Sequence, residues 1–335
     1  MLEFNDLADF PPEEIEALVA LAGRLDRQPE PRALGGKVLS LLFLNPSLRT
    51  LASFQAAMVR LGGGSFVISP DMSIHGLETR AGIIMDGVAA EHIKEAVPVI
   101  ASYGDALGIR AFAKRRSLED DLADTEFRAL ADLADRPVIN MESAINHPCQ
   151  SLADWKTMDD LDVPRQGGKF VLSWAFHPKP LPLAVPAATV QMAAMRGMDV
   201  VVHRPEGFEL PAPIMEKANR AAAASGGRVT ETDDRREATE GADIIYAKSW
   251  SSTRHYGDEQ ADQKLREDLV HWCVDEKWFD NAKKNGRFMH CLPVRRGVVV
   301  QDQVLDGPRS VVIQEARNRM LVQMAVLHQL MNGKG

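Results

Sequence analysis

The stretch FLNPSLRT, residues 43–50, closes an apolar run, KVLSLLFL at 37–44, and opens a segment with helical spacing, SFQAAMVRLGG, that ends in glycines. A short run of uninterrupted hydrophobicity reads as a strand covered on both faces, so Ser47 to Thr50 are placed at a strand-to-helix turn. At such a turn unpaired backbone N–H groups and the helix dipole favour an anion. Two hydroxyls and an arginine fork add donors suited to phosphate oxygens. The alternative left open by these residues alone is that Ser47 only caps the helix while Arg49 is solvated in its first turn.

The rest of the chain narrows the choice. Its 335 residues, 45% of them hydrophobic, suit two domains of ordinary size. A formal charge of -8 excludes a protein that reads nucleic acid through a broad basic face, yet leaves room for a few arginines around a small anion. No stretch approaches a membrane span, and MLEFNDLADF lacks the basic start and apolar middle of a secretory signal, so a cytoplasmic protein is expected. Three cysteines, Cys149, Cys273 and Cys291, give no disulfide framework and suit a reducing compartment. His147 with Cys149 and His290 with Cys291 match no zinc spacing, and no metal is expected.

Strand-like and helix-like runs alternate along the whole chain, the pattern of doubly wound parallel α/β sheets. In the first half the pattern predicts helices at about 12–27, 48–62 and 89–102, with strands at 37–44, 65–69, 106–110 and 137–140. A restart follows, with strands at KFVLSWA, MDVVVH, near 228, and at ADIIYAKSW, RFMHC and SVVIQ, and helices at 184–196 and 212–224. Two domains are expected, 1–150 and 151–314, with a bridging helix from Pro148 and a final helix at about 315–332 crossing back to the first domain. Sheets of this kind bind ligands beyond the carboxyl ends of their strands. At those ends stand Ser47, Arg49, Thr50, Arg110, Glu142, HPCQ at 147–150, HPKP at 177–180, Lys248 and HCLPVRR at 290–296. A lone arginine or histidine in a loop is usually structural or solvated. Several at one sheet edge have no reason to gather by chance.

FLNPSLRT, IRAF, INHPCQSLAD, IIYAKSW and MHCLPVRR together resemble, in order and spacing over essentially the full chain, the carbamoyltransferases related to the aspartate and ornithine enzymes. Within them the resemblance is to the N-acetylornithine and N-succinylornithine enzymes of bacterial arginine synthesis. It implies two doubly wound domains, a homotrimer with shared active sites, and transfer of a carbamoyl group from carbamoyl phosphate to the δ-amine of an acylated ornithine. No cofactor is implied, since carbamoyl phosphate is already activated. On this resemblance Ser47, Leu48, Arg49, Thr50 and Arg110 cradle the phosphate, with His75 arriving from a neighbouring subunit. His147, Pro148, Cys149, Gln150, Cys291, Leu292 and Arg319 surround the carbamoyl phosphate, His147 and Gln150 polarising its amide end. Arg49, Arg110, His147 and Gln150 are the catalytic set, Cys291 acts through its backbone rather than as a thiolate, and a cis Leu292–Pro293 bond is plausible for the loop.

The second substrate is implied by Ala90, Glu142, His177, Lys248, Leu292 and Arg295. Ornithine enzymes carry an aspartate where Lys248 stands; a lysine repels a free α-ammonium and welcomes a carboxylate or acyl oxygen, so the α-amine is expected to be masked. Acetyl-specific relatives carry a glutamate at the place of Ala90 and a lysine at that of Val299. Their loss favours N-succinyl-L-ornithine, with N-acetyl-L-ornithine as the alternative. Leu51 replaces an arginine of the family pattern and His75 a tryptophan, departures that also leave open a catalytically weak, ligand-binding homologue. A dinucleotide-binding oxidoreductase is disfavoured because no G-x-G-x-x-G follows an early strand.

Overall fold

The computed structural model describes residues 3–69 and 76–332. The first lobe contains, in chain order, β1 (Glu3–Phe4), α1 (Pro12–Arg27), β2 (Val38–Phe43), α2 (Leu48–Arg60), β3 (Gly64–Ile68), the short strands β4 (Leu77–Glu78) and β5 (Glu91–His92), α3 (Ile93–Ser102), β6 (Ala106–Arg110), α4 (Leu118–Leu122), α5 (Thr125–Ala131) and β7 (Val138–Glu142). Helix α6 (Pro148–Asp160) leads to the second lobe: β8 (Lys169–Trp174), α7 (Ala184–Met195), β9 (Asp199–His203), α8 (Ala212–Ser225), β10 (Arg228–Thr232), α9 (Arg235–Thr239), β11 (Ile244–Lys248), α10 (Glu259–Arg266), β12 (Arg287–Met289) and α11 (Asp302–Leu305). The last helix, α12, spans Val312–Asn332.

Each lobe is built on a five-stranded sheet, ordered β1-β7-β6-β2-β3 and β10-β9-β8-β11-β12, and every pairing within them is parallel. The apolar run of β2 serves both faces of its sheet, as the period-2 geometry of a strand requires. Leu39, Leu41 and Phe43 join a core with Ile15 and Leu18 of α1, Phe54 of α2 and Leu152 of α6, while Leu42 turns to Ile93 and Val97 of α3 and Phe127 and Leu130 of α5. In the first sheet the chain reverses direction between β2 and β6, and in the second between β8 and β11. These are the two places where a crevice opens at the carboxyl ends of the strands.

Two sequence expectations are corrected. SVVIQ at 310–314 is not a strand: Ser310 makes a single bridge to Phe288 and the chain enters α12 at Val312, with the Glu315 N–H already bonded to the Val311 carbonyl at 2.9 Å. Short apolar runs carry no periodicity that separates strand from buried helix. The helix expected from 89 begins instead at Ile93, because the His92 ring nitrogen accepts from the Lys94 N–H and caps it there. The boundary at 150 falls inside α6, which runs unbroken to Asp160. Helix α12 packs on α1, α2 and α6, and its buried Arg319 donates to Thr50 Oγ1 at 2.7 Å.

Candidate functional site

A cleft of about 650 Å³ lies between the lobes, walled by both switch points. On the first-lobe side, Ser47 caps α2: its hydroxyl accepts from the Thr50 N–H at 3.3 Å and lies 3.0 Å from Thr50 Oγ1. Leu48 and Arg49 occupy the first turn, whose N–H groups open into the cleft with the positive end of the helix dipole. Arg110, at the end of β6, lies with its guanidinium 4.4 Å from the Phe112 ring centroid and 3.5 Å from Thr50 Oγ1. Thr50 is thus the meeting point of α2, β6 and α12. Ser47 therefore caps the helix and also lines the cleft.

The charge balance is strongly positive. Arg49, Arg110, Arg319, Lys248 and Arg295 all line the cleft, and Glu142 is the one acidic residue among its described lining. Glu142 Oε2 takes a 2.5 Å ion pair from Arg110 and lies 3.4 Å from His147 Nε2. Arg49, Lys248 and Arg295 have no carboxylate partner among the described residues. The Nε atoms of Arg49, Arg110 and Arg319 are buried without an acceptor. Unused donors in a closed space are what a bound polyanion would satisfy.

His147 ends the loop before α6 and is buried, with Nδ1 unpartnered. Burial, then the field of Arg319 and Arg110, holds its pKa well below the ordinary histidine value, which keeps the ring neutral, with Nε2 3.4 Å from Glu142 Oε2. On the second-lobe side, His290, Cys291 and Leu292 form the loop after β12, with a cis Leu292–Pro293 bond and Leu292 at φ 53°. The loop is pinned by the Leu292 N–H donating to His290 Nδ1 at 2.9 Å. Burial raises the Cys291 thiol, which keeps it protonated and unsuited to nucleophilic attack. His177 and Lys248 are half-buried, Arg295 is exposed at the mouth, and Val299 is buried in the wall.

Several sequence-predicted residues sit elsewhere. Pro148 is the first residue of α6 and Cys149 is buried in the core, where burial pushes its thiol up to about 12; neither side chain walls the cleft. Gln150 lies one layer behind the wall, its Nε2 donating to Asp154 Oδ1 at 2.8 Å and Glu315 Oε1 at 2.9 Å. Ala90 is exposed and does not line the cleft of its own chain. His75 lies outside the described residues. Leu51 packs against the main core, which accounts for an apolar residue there.

Sequence reasoning missed Phe112, Leu181, Pro182 and Val185, which give the cleft an apolar wall, and Asp154 and Glu315 behind it. Phe112 was within reach, since IRAF places an aromatic two residues after Arg110. Asp154 stands four positions from Gln150 on one helix, but Glu315 could not be foreseen, because it lies 165 positions away. Among the described residues no group of three or more His, Cys, Asp or Glu is placed to hold a metal, and no helix is long and apolar enough to cross a membrane.

Two parallel α/β lobes around a cationic cleft, with no activated side-chain nucleophile among the described residues, fit an enzyme that transfers a group between two small bound molecules by positioning and electrostatics. The chain belongs to the aspartate/ornithine carbamoyltransferase family, whose carbamoyl-P binding domain matches residues 3–160 and whose Asp/Orn binding domain matches residues 185–330. N-acetylornithine carbamoyltransferase of Xanthomonas campestris pv. campestris is 37% identical over 98% of this chain and 97% of its own length. N-succinylornithine carbamoyltransferase of Bacteroides thetaiotaomicron is 37% identical over 89% of this chain and 88% of its own. The crystal structure of acetylornithine transcarbamylase complexed with acetylcitrulline superposes with a TM-score of 0.94 at 36% identity, covering 98% of this chain and 99% of that one. An alanine-for-glutamate mutant of N-acetyl-L-ornithine transcarbamylase, complexed with carbamyl phosphate and N-succinyl-L-norvaline, matches equally well, at TM-score 0.94 and 37% identity over 98% of this chain and 100% of that one.

Proposed function

We propose that this enzyme transfers the carbamoyl group of carbamoyl phosphate to the δ-amine of an N-acylated L-ornithine, giving the N-acylcitrulline and phosphate, with N-succinyl-L-ornithine preferred. The observation that carries the reading is the sorting of donors within one cleft: Ser47, Arg49, Thr50, Arg110 and Arg319 gather at the first lobe, and His177, Lys248 and Arg295 face them from the second. The first group fits a phosphate. The second fits the carboxylates of an amide-capped diamine and would repel a free ammonium.

In this reading the neutral δ-amine attacks the carbonyl carbon as the bond to the phosphate oxygen breaks. Phosphate leaves with that electron pair, and the amine's surplus proton goes to the departing phosphate. Arg49, Arg110 and the Nε2–H of His147 hold the charge that gathers on the carbonyl oxygen, while the Leu292 carbonyl, and the Gln150 oxygen once closure on the substrates brings it to the cleft, accept from the carbamoyl NH2. Glu142, released from Arg110 as the anion enters, accepts from the N–H of the incoming substrate. Leu181, Pro182 and Val185 keep water away from a reactive anhydride.

Alanine at position 90 supports the succinyl preference, since it places no negative charge near a second carboxylate, and a relative with alanine in place of a glutamate was crystallised with an N-succinyl ligand. Position 90 acts across a subunit interface in this reading. Exposed apolar side chains are concentrated on the first lobe, with Leu48, Val59, Ile84, Val88, Val99 and Tyr103 between 48% and 93% exposed, and they support a homotrimer assembled through that lobe. Three free cysteines fit a cytoplasmic enzyme. The deciding assay gives purified protein carbamoyl phosphate with ornithine, N-acetylornithine or N-succinylornithine. A ureido product with the succinylated substrate at the highest kcat/KM supports the reading, a higher value with the acetylated one reverses the preference, and no product with either overturns it.

A further inference from the structure

The Gln150 amide is held from behind by two acids. Asp154, one turn along α6, is fully buried, and Glu315, in the first turn of α12, is 1% exposed; their oxygens accept the two Gln150 Nε2 hydrogens at 2.8 and 2.9 Å. With both hydrogens consumed, Gln150 keeps only its buried, unpartnered Oε1 to offer. The opposite amide orientation would set Oε1 against the ionised carboxyl of the pair and is disfavoured by repulsion, whereas Nε2 can donate to both acids. Glu315 also reaches into the second lobe, where its Oε2 accepts the His290 N–H at 2.9 Å and so anchors the loop that carries the Leu292 carbonyl. One side chain therefore sets both acceptors assigned to the carbamoyl NH2.

Two carboxyl groups that share a single nitrogen donor lie too close, and too far from water, for both to ionise. We propose that Asp154 and Glu315 are positioning residues for carbamoyl transfer: a buried pair that holds one proton between its members and turns Gln150 so that its oxygen alone is left for the carbamoyl group. The inference rests on the functional reading above. Burial raises the pKa of both carboxyls, in keeping with one proton retained at neutral pH. Arg319 on α12, the Tyr246 hydroxyl on β11 and the Cys291 thiol are the other ionisable groups facing the pair, and the Arg319 charge balances the one that remains.

Double-mutant cycles on the full-length enzyme test this. Asp154→Leu and Glu315→Leu remove the acceptors, whereas Asp154→Asn and Glu315→Gln keep an oxygen in place. Each leucine variant is expected to lower kcat by about 100-fold with little change in KM for carbamoyl phosphate. The amide variant at the carboxyl that bears the proton restores most of that loss. In a Gln150→Ala background Asp154→Leu costs nothing further, and Glu315→Leu costs only the share carried by its bond to the His290 N–H; a loss for Asp154→Leu that remains multiplicative there overturns the proposal. Infrared spectra of the wild type should show a protonated-carboxyl band at pH 8 that disappears in Asp154→Asn or Glu315→Gln. No such band overturns the shared proton even where a leucine variant fails to fold. Should the wild type form no ureido product with any acylated ornithine, the functional reading fails instead, and the infrared band still decides the protonation of the pair.

Discussion

On the proposed reading Glu142 occupies donors that the anionic substrate needs. Its carboxylate stands on Arg110 and beside His147, so bound carbamoyl phosphate would displace it, at the cost of a buried ion pair. Glu142→Ala is therefore expected to tighten phosphate binding several-fold, read by calorimetry, while raising KM for the acylated ornithine by about 10-fold or more. Weaker phosphate binding would show that Glu142 holds Arg110 in place rather than competing for it. Lys248→Asp should lower kcat/KM for an acylated ornithine by about 100-fold or more, since a carboxylate partner becomes a repelling one. Unchanged specificity constants would remove Lys248 from the substrate contacts. Both residues were legible in the sequence because each ends a recognisable strand; the pairing of Glu142 with Arg110 was not, because it depends on β6 and β7 lying side by side.

At the scale of elements, the lobes meet through contacts that the strand pattern does not reveal. The Arg115 guanidinium donates to the Pro180 carbonyl at 2.7 Å and pairs with Glu259 at 2.5 Å, and the Tyr256 hydroxyl donates to Asp121 Oδ2 at 2.7 Å. These bonds tie the segments around α4 and α10 together at the edge of the cleft. Tyr256→Phe keeps the packing and loses one bond, so stability should fall by no more than about 1.5 kcal/mol while KM for both substrates rises a few-fold. A changed melting temperature with unaltered kinetics would mark the contact as structural only. Helix α12 closes the first lobe with Leu327 fully buried, and Leu327→Ala should cost about 2–5 kcal/mol in urea unfolding. The final helix was foreseen as an element, but its start was not, since VVIQ carries no period that separates strand from helix.

For the molecule as a whole, acid stability follows from histidines buried in neutral form. Burial depresses His147 and His290 well below the ordinary value and His203 to about 4. The unfolded chain binds protons at these sites where the folded chain does not, so stability is complete above about pH 6.5 and is lost as pH falls toward 4. His203 alone accounts for roughly 3 kcal/mol across that window. The melting temperature should fall steeply between pH 6.5 and 4.5, and less so in His203→Gln; a flat profile would mean that the ring is protonated in the fold. Two α/β lobes, the strand-to-helix turn at Ser47–Thr50 and the basic character of the cleft were determined by the sequence itself. Apolar periodicity and the residues that end each strand are local properties, and parallel sheets expose those ends at one edge. Which donors meet, which acid masks them, and what stands behind Gln150 were decided only by tertiary structure. Thr50 collects Arg319 across 269 positions and Gln150 collects Glu315 across 165, and pairing at such range depends on how α12 returns across the first lobe.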